Sequence, residues 1–514
     1  MALNSADALG GLFDVAVCGG TLGVFAAAAL ARRGLRVVLL ERGEVRGREQ
    51  EWNISRKEMA DIVEAGALSE AQVEAAIASE FNPVRVAFHK GFEGEVTNVL
   101  NLGVSPAKLV AEALDNFRLA GGKVLERTAL SGVDVHADGA VLRGEGGAAL
   151  LRARLVVDAM GNASPAANQF RGGAAPDAVC MVVGTCAKGY EPEANTGGDL
   201  IVTCDEASKN DLQYFWEAFP ASGAPDERTT YMFSYLDADS RRPSLEAMLE
   251  DYWPRLERYQ GVCLDDLQVQ RLMFALFPAY RDSPLRAPLA RVLQVGDASG
   301  VQSPMSFGGF GALSRHLART ADGVAEALLI DAMDAESLGL LNPYLPNLSA
   351  QWAFYDAMKL EPGSVAKPGY DRDFISKMMT GNFSAMRKGG DAVMRPFLQD
   401  VPSFEVLGRT LGQYMLDAPR MVPSLVFAVG PANLAAWVRH YIAMGAYQLA
   451  HGFFEASPSL VEALDELLPP RVAYALHRRR DAWKFGSGMD YKYSPALAKV
   501  VDRAGVKRAV EADV

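Results

Sequence analysis

Two rhythms of apolar and polar residues divide the chain. In its first part, short unbroken apolar runs alternate with Ala- and Leu-rich stretches: "FDVAVC" (13–18), then a glycine turn and "VFAAAALARRG" (24–34), then "LRVVLLER" (35–42). Apolar runs of this length bounded by turn residues read as buried strands. The stretch between them is made of strong helix formers and ends at Gly34, a C-terminal cap residue. The pattern predicts a β-α-β unit beginning near residue 12. "SPAKLVAEALDNFRLAGG" (105–122) predicts an amphipathic helix, with Ser105 as N-cap and Pro106 in the first turn. "KVLER" (123–127), "ALSGVDV" (129–135), "GAVLR" (139–143) and "LLRARLVVDA" (150–159) read as strands. The intervening "GEGGAA" (144–149) is a hairpin turn rather than a second glycine fingerprint.

From residue 166 to 288 helical periodicity is absent over long stretches. "AVCMVVGTCA", "LIVTC", "QYFWEAFP", "TTYMFSYL" and "QVQRLMFALFP" predict a mostly antiparallel sheet, with one helix near Leu245 to Tyr259. A buried strand returns in "RVLQV" (291–295), enters a loop rich in Gly, Ser and Pro, and leads into a long helix. Beyond 335 the chain is helical and apolar, without repeats. The expected division is a Rossmann-like α/β domain in two parts (12–165 and 289–335). Between them lies an inserted antiparallel-sheet substrate domain (166–288), and a helical C-terminal region (336–490) and a tail (491–514) follow.

Composition narrows the functions. A chain of 514 residues, 49% hydrophobic and 22% charged, is an ordinary globular protein of two or three domains. Its net charge of −12 disfavours nucleic acid as a partner. The 5 cysteines form no C-x-x-C pair, and the histidines show no ligand spacing, so free thiols and no metal are expected. The first twelve residues lack a basic region, a long apolar core and an Arg/Ser-rich character, which predicts no leader there.

The glycine turn carries the first chemistry. Aligned to G-x-G-x-x-G, it reads Cys18, Gly20, Gly23, with a cysteine in the tight-turn position. It follows a strand and opens a helix, the context in which the fingerprint holds a pyrophosphate at a helix N-terminus. Glu41, 21 positions after Gly20, is placed for ribose hydroxyls. Two further strand ends finish in small residues, near Gly161 and at Gly296-Asp297. Three such ends suit FAD, which lies extended across several strands. The expected contacts are Gly19, Gly20, Thr21, Leu22, Gly23, Glu41 and Arg42 at the first end and Gly161 at the second. At the third they are Gly296, Asp297 (to ribitol hydroxyls), Gly308 and Gly309.

At these and other segments the chain resembles the FAD-dependent lycopene cyclases of the CruA/CruP type. "GREQEWNISRKEM" (47–59), "LNLGVSPAKL" (100–109), "QYFWEAFP" (213–220) and "GDASGVQSPMSFGGFGALSRHL" (296–317) carry the resemblance. "FNPVR", "FALFPAYRDSPL", "LLNPYLPNLSA", "RPFLQDV" and "AWKFGSGMDY" extend it over nearly the whole chain, closest to the CruP branch of cyanobacteria, algae and plants. The resemblance implies a flavin-monooxygenase-like fold, bound FAD and a carotenoid substrate such as lycopene. It also implies a chloroplast or cyanobacterial setting at the thylakoid membrane. The implied reaction is a redox-neutral isomerisation needing reduced flavin, with NAD(P)H as a transient reductant. Two alternatives stay open: an FAD/NAD(P)H oxidoreductase or monooxygenase of isoprenoids, and a non-cyclising, protective flavin-binding paralogue.

Alkene cyclisation needs an acid. Glu217, one carboxylate among Tyr214, Phe215, Trp216 and Phe219, is the candidate, since burial favours its protonated form. It is similar to the first Glu of an F-L-E-E-T segment in plant cyclases, the second being Ala218 here. The alternative is a Glu217 facing outward. Arg48, Glu49, Glu51, Trp52, Asn53 and Arg56 either contact ligand or build a helix start, with Ser55 and Glu58 as a capping box. His316 reads as a packed or surface residue, and "FPAY" (277–280) as pocket lining or core. "MVPSLVFAVGPANLAAWV" (421–438) is uncharged and interrupted by Pro423, Gly430 and Pro431. It reads either as a membrane-surface hairpin or as a buried helical cap.

Overall fold

The β-α-β unit forms where the apolar pattern places it, as β1 (Leu12–Cys18), α1 (Gly23–Arg32) and β2 (Val37–Leu40). The fold comes from a computed structural model that describes residues 12–221 and 223–491; the expected tail beyond 491 and the first eleven residues lie outside the described residues. α1 sits close on the strands because it starts with glycine. A Cβ on Gly23 would lie 2.9 Å from the Ala159 Cβ and 3.0 Å from Val17 Cγ1. Gly34 ends the turn after α1 with φ +80°.

The chain continues through β3 (Trp52–Ile54), α2 (Arg56–Glu64), α3 (Glu70–Ala76), β4 (Ile77–Glu80), β5 (Val84–Ala87), β6 (Glu93–Val96) and β7 (Leu102–Val104). Then come α4 (Pro106–Leu119), β8 (Lys123–Leu125), β9 (Gly132–Val135), β10 (Ala140–Arg143) and β11 (Ala149–Asp158). Ser105 caps α4 by accepting the Lys108 N–H, and "GEGGAA" is the turn joining β10 to β11. Next are α5 (Pro165–Phe170), β12 (Ala178–Lys188), β13 (Gly198–Val202), β14 (Phe215–Pro220), β15 (Glu227–Leu236), α6 (Leu245–Gln260), β16 (Gln268–Ala279), β17 (Val292–Gln294) and α7 (Gly309–Leu329).

The first sheet has the order β8-β2-β1-β11-β10-β9, and β17 pairs with the end of β11. β1, β2, β8, β11 and β17 run parallel, a Rossmann-like core with α1, α4 and α7 on its face. The second sheet has the order β16-β12-β15-β14-β13-β5-β6 and is antiparallel except where β13 meets β5. β5 and β6 lie in the stretch assigned by continuity to the first domain, yet Val84, Val86 and Val96 fill the core of the second sheet. α6 covers one face of that sheet, packing Met248, Tyr252 and Leu256 on Met181, Trp216 and Met232. β3, β7 and β4 form a small third sheet between the two.

Among the described residues ten α-helices complete the C-terminal region: α8 (Ala335–Gly339), α9 (Pro346–Ala350), α10 (Trp352–Met358), α11 (Phe374–Arg387), α12 (Asp391–Leu398), α13 (Phe404–Asp417), α14 (Val422–Val429), α15 (Pro431–Glu455), α16 (Pro458–Leu467) and α17 (Pro470–Gly486). Met378, Phe383 and Phe397 pack in one core with Phe215 and Phe219 of the second sheet. The uncharged stretch 421–438 is not a buried cap. Gly430 (φ +80°) and Pro431 break it, and the helical segments on either side meet at 103°. Only Val429 of α14 and Met444 of α15 are buried, while Phe427 is 89% and Leu449 77% exposed. Among the described residues no single helix is long and apolar enough to cross a membrane.

Candidate active site

Three parallel strands end at one level. Cys18 is in register with Asp158, and Asp158 with Gln294, so the loops after β1, β11 and β17 leave the sheet side by side. The cysteine does not spoil the first turn, because it completes β1 and the left-handed residue is the next one, Gly19 (φ +102°). A Cβ there would sit 2.4 Å from the Ala159 carbonyl oxygen. Cys18 is buried among Ala16, Val38 and Leu40, and burial pushes its thiol pKa well up, so it remains an inert thiol.

Glu41 spans the glycine loop. Its Oε2 accepts the Gly20 N–H at 2.7 Å and its Oε1 the Gly43 N–H at 2.9 Å. Thr21, Leu22 and Arg42 line the same cavity, and Leu22 is the residue before α1, whose N-terminus therefore opens on it. At the second end Gly161 (φ +72°) follows Asp158, which accepts the Ser164 hydroxyl.

The third end holds a buried carboxylate. Oδ1 of Asp297 has no hydrogen-bond partner, and burial raises the pKa of the group against the pull of Arg48. Gly308 precedes α7 and Gly309 begins it; a Cβ on Gly309 would lie 2.1 Å from Asp297 Oδ1. The carboxylate fits only because that residue is glycine. A buried acceptor with no donor, beside a helix N-terminus and level with two glycine turns, suits a polyhydroxyl chain linked to a pyrophosphate. FAD fits this cradle: Glu41 would meet the ribose, the α1 N-terminus the pyrophosphate, and Asp297 the ribitol.

From the cradle a cavity of about 1260 Å³ extends between the two sheets to the C-terminal helices. Its wall on the second sheet carries Glu217. Strand alternation turns Phe215, Glu217 and Phe219 to one side and Tyr214 and Trp216 to the other, where Trp216 stacks on Tyr259 at 4.5 Å. Only two of the four aromatics expected around Glu217 therefore share its face. Tyr231, in register with Glu217, and Tyr235 and Cys180 supply the rest of the wall. Glu217 faces the cavity, not solvent. Its Oε1 accepts the Asn53 Nδ2–H at 2.6 Å, and burial, outweighing that bond, raises its pKa to about 7.

The charged cluster around Trp52 splits. Arg48, Glu49, Glu51, Trp52 and Asn53 line the cavity, with Trp52 packed on Phe310 at 4.4 Å. Arg56 pairs with Glu74 and Glu80, and Ser55 with Glu58 forms the capping box of α2. His316 is a packed residue accepting from Arg319, its pKa held far down by burial. In "FPAY", Phe277 lines the cavity, while Tyr280 lies under the Arg171 guanidinium at 3.9 Å. Sequence reasoning missed Asp400, a cavity-lining carboxylate just beyond α12. It lies in the "RPFLQDV" segment, where no periodicity or spacing marks it as chemical.

No protein-family profile matches the chain, and no curated protein sequence matches it. Solved structures do. A geranylgeranyl bacteriochlorophyll reductase-like protein of Thermoplasma acidophilum is 14% identical, with a TM-score of 0.53 over 81% of this chain and 99% of that one. Halogenase PltM in complex with phloroglucinol and FAD is 15% identical, with a TM-score of 0.54 over 91% and 99%. The Diels-Alderase PyrE3 of pyrroindomycin biosynthesis is 17% identical, with a TM-score of 0.51 over 75% and 80%. The chain thus has the fold of flavin-dependent halogenases and reductase-like proteins.

Proposed function

We propose that the chain is a flavoenzyme that holds FAD across its three strand ends and isomerises an apolar polyene, as the lycopene cyclases it resembles do. The observation that carries this reading is Glu217: a lone carboxyl group on an apolar cavity wall beside the cradle, its pKa raised by burial to about 7. Asn53 fixes the carboxyl orientation, leaving the second oxygen to hold the proton towards the cavity. Phe233, Phe277, Phe307 and Phe383 exclude water and offer ring faces to a developing cation. FAD held in the cradle would, when reduced, supply negative charge to the site. Two comparisons support the reading from outside: one protein of this fold is named for a geranylgeranyl substrate, and another for a ring-forming reaction.

An apolar polyene dissolves in lipid, and the bent pair α14 and α15 supports delivery from a membrane surface. Phe427, Ile442, Leu449 and Phe453 project outward from it, and Arg420 and Arg439 are exposed along it.

The test is an anaerobic reaction of pre-reduced, FAD-loaded protein with lycopene. Many product molecules per flavin, of unchanged mass, are expected, and Glu217→Gln should keep FAD and lose about 10²–10⁴-fold in kcat. The similarity to reductase-like and halogenase structures favours one second reading, a redox enzyme drawing on NAD(P)H. A product gaining hydrogen or oxygen with matching NAD(P)H loss would replace the cyclase with it. Carotenoid binding without product would leave the protective role.

A further inference from the structure

Protonating an alkene is half of an isomerisation; a second group must remove a proton from the ring. In the segment similar to F-L-E-E-T the second carboxylate is absent, and position 218 is Ala. The geometry shows that a carboxylate there would not help. Neighbouring strand residues face opposite ways, so residue 218 shares the side of Trp216, away from the cavity.

The C-terminal region brings in a carboxylate instead. Asp400 follows α12 in a left-handed backbone conformation, φ +60°, which few non-glycine residues adopt. That conformation is held from both sides. The Asp400 N–H bonds the Phe397 carbonyl at 3.2 Å, and the Asp400 carbonyl accepts Gln351 Nε2–H at 2.9 Å. Gln351 in turn accepts the Ser303 hydroxyl. The carboxylate lines the cavity beside Ser303 and Ser306, on the loop between β17 and α7, whose hydroxyls lower its pKa against the effect of burial.

We propose that Asp400 is the base that complements Glu217, so that the cavity is a two-carboxylate site whose acid comes from the second sheet and whose base comes from the C-terminal helices. The assignment rests on the cyclase reading above. Glu217 gives its proton to a terminal alkene carbon, where a C–H bond forms from the π pair. The next alkene closes a C–C bond onto the cation. A C–H bond beside the new cation breaks, its proton goes to Asp400, and its electron pair becomes the ring double bond. Water then reprotonates Glu217 and takes the proton from Asp400, and no electron is gained or lost.

The surroundings of the two groups fit these roles. Glu217 is faced by Asn53, Tyr231, Tyr235 and Cys180, none of them cationic, and burial lifts it to about 7. Asp400 is faced by Ser303, Ser306, Tyr235, Glu58 and Arg315, and burial lifts it to about 6. The Arg315 charge is engaged by Asp490, through bonds of 2.5 and 2.8 Å. Burial thus raises Glu217 further than Asp400, the order that an acid and its complementary base require.

The test uses the FAD-loaded full chain with pre-reduced flavin and lycopene in liposomes. Asn accepts a left-handed backbone, so Asp400→Asn should fold and keep FAD. Its product formation should fall about 10²–10⁴-fold. The wild-type rate should rise as Asp400 ionises near pH 6 and decline as Glu217 ionises near pH 7. Residual activity of Asp400→Asn should lack the rising limb, and Asp400→Glu should recover part of the rate. Infrared titration of flavin-free protein should lose one carboxyl band with a midpoint near 6 in Asp400→Asn. A band that persists, or an Asp400→Asn enzyme with the wild-type rate and acid limb, overturns the role of Asp400 alone. Loss of FAD from Asp400→Asn overturns it in favour of a loop-holding role. A wild type that forms no ring overturns the cyclase reading and this role together.

Discussion

The strand-end cradle and the wall around Glu217 each bury a carboxylate, by opposite means. Asp297 sits among glycine backbone at a helix N-terminus, with Arg48 as its charge partner and one oxygen unbonded. Glu217 sits on an antiparallel strand among aromatic rings, with a neutral amide as its partner. The first setting suits an acceptor for ligand hydroxyls. The second suits a proton donor. The difference shows that burial alone does not define a carboxylate's role; the polarity of the groups that accompany it does.

Breaking the cradle should have the largest effect. In Gly20→Leu the added Cβ would lie 3.0 Å from Val45 and 3.1 Å from Glu41, with the rest of the side chain in the nucleotide path. Flavin absorbance in the purified protein should vanish, whereas Glu217→Gln should leave it unchanged. If both variants lose flavin, the two regions are not separable.

Asp297→Asn sharpens the contrast further. FAD should bind about 10–100-fold more weakly, because a charged acceptor is lost. The FAD-free protein should melt higher, since the variant removes a buried, incompletely bonded carboxylate. Fluorescence titration and calorimetry on the same sample check both signs.

On the lipid-facing side, Phe427→Ser with Leu449→Ser should cut liposome co-sedimentation about tenfold or more, each side chain contributing on the order of 1–2 kcal/mol. FAD content should not change. Equal recovery in the pellet would show that α14 and α15 do not carry the contact.

The smallest expected effect is on pH dependence. Burial raises Glu217 to about 7, Asp400 to about 6 and Asp61 to about 6. A carboxyl whose folded pKa is raised stabilises the fold fully below its unfolded value of about 4, and that contribution is lost as pH rises through the folded value. These carboxyls should therefore pull the melting temperature of the FAD-free protein down from pH 5 to 8, against buried His316 and half-buried His440, whose lowered pKa values favour the fold at higher pH. Glu217→Gln should flatten the upper part of the decline.

What the sequence disclosed follows chain distance. The glycine turn, the Ser105 cap and the "GEGGAA" hairpin are local, and each reads from neighbouring residues. Glu217 is legible because a lone carboxylate interrupts an aromatic strand. Its partner Asn53 was only one member of an ambiguous cluster, since the bond spans 164 positions. β5 and β6 have four residues each, too few for alternation to outweigh their sequence neighbours. Asp400 carries no local signal, because Ser303, Ser306 and Gln351 define it only once the helices have packed. The exposure of α14 and α15 was equally hidden, since apolar content alone fits a core or a surface.

Glu41 holds two backbone N–H groups of the loops it spans, one from each carboxylate oxygen. The rim of the nucleotide cradle is thus anionic where the sugar arrives. A neutral ribose gains an acceptor there, while a ribose bearing an extra phosphate brings a dianion against a fixed negative charge. With FAD in the cradle, discrimination between plain and phosphorylated nucleotides would be made at the end of β2, independent of whatever chemistry the cavity performs.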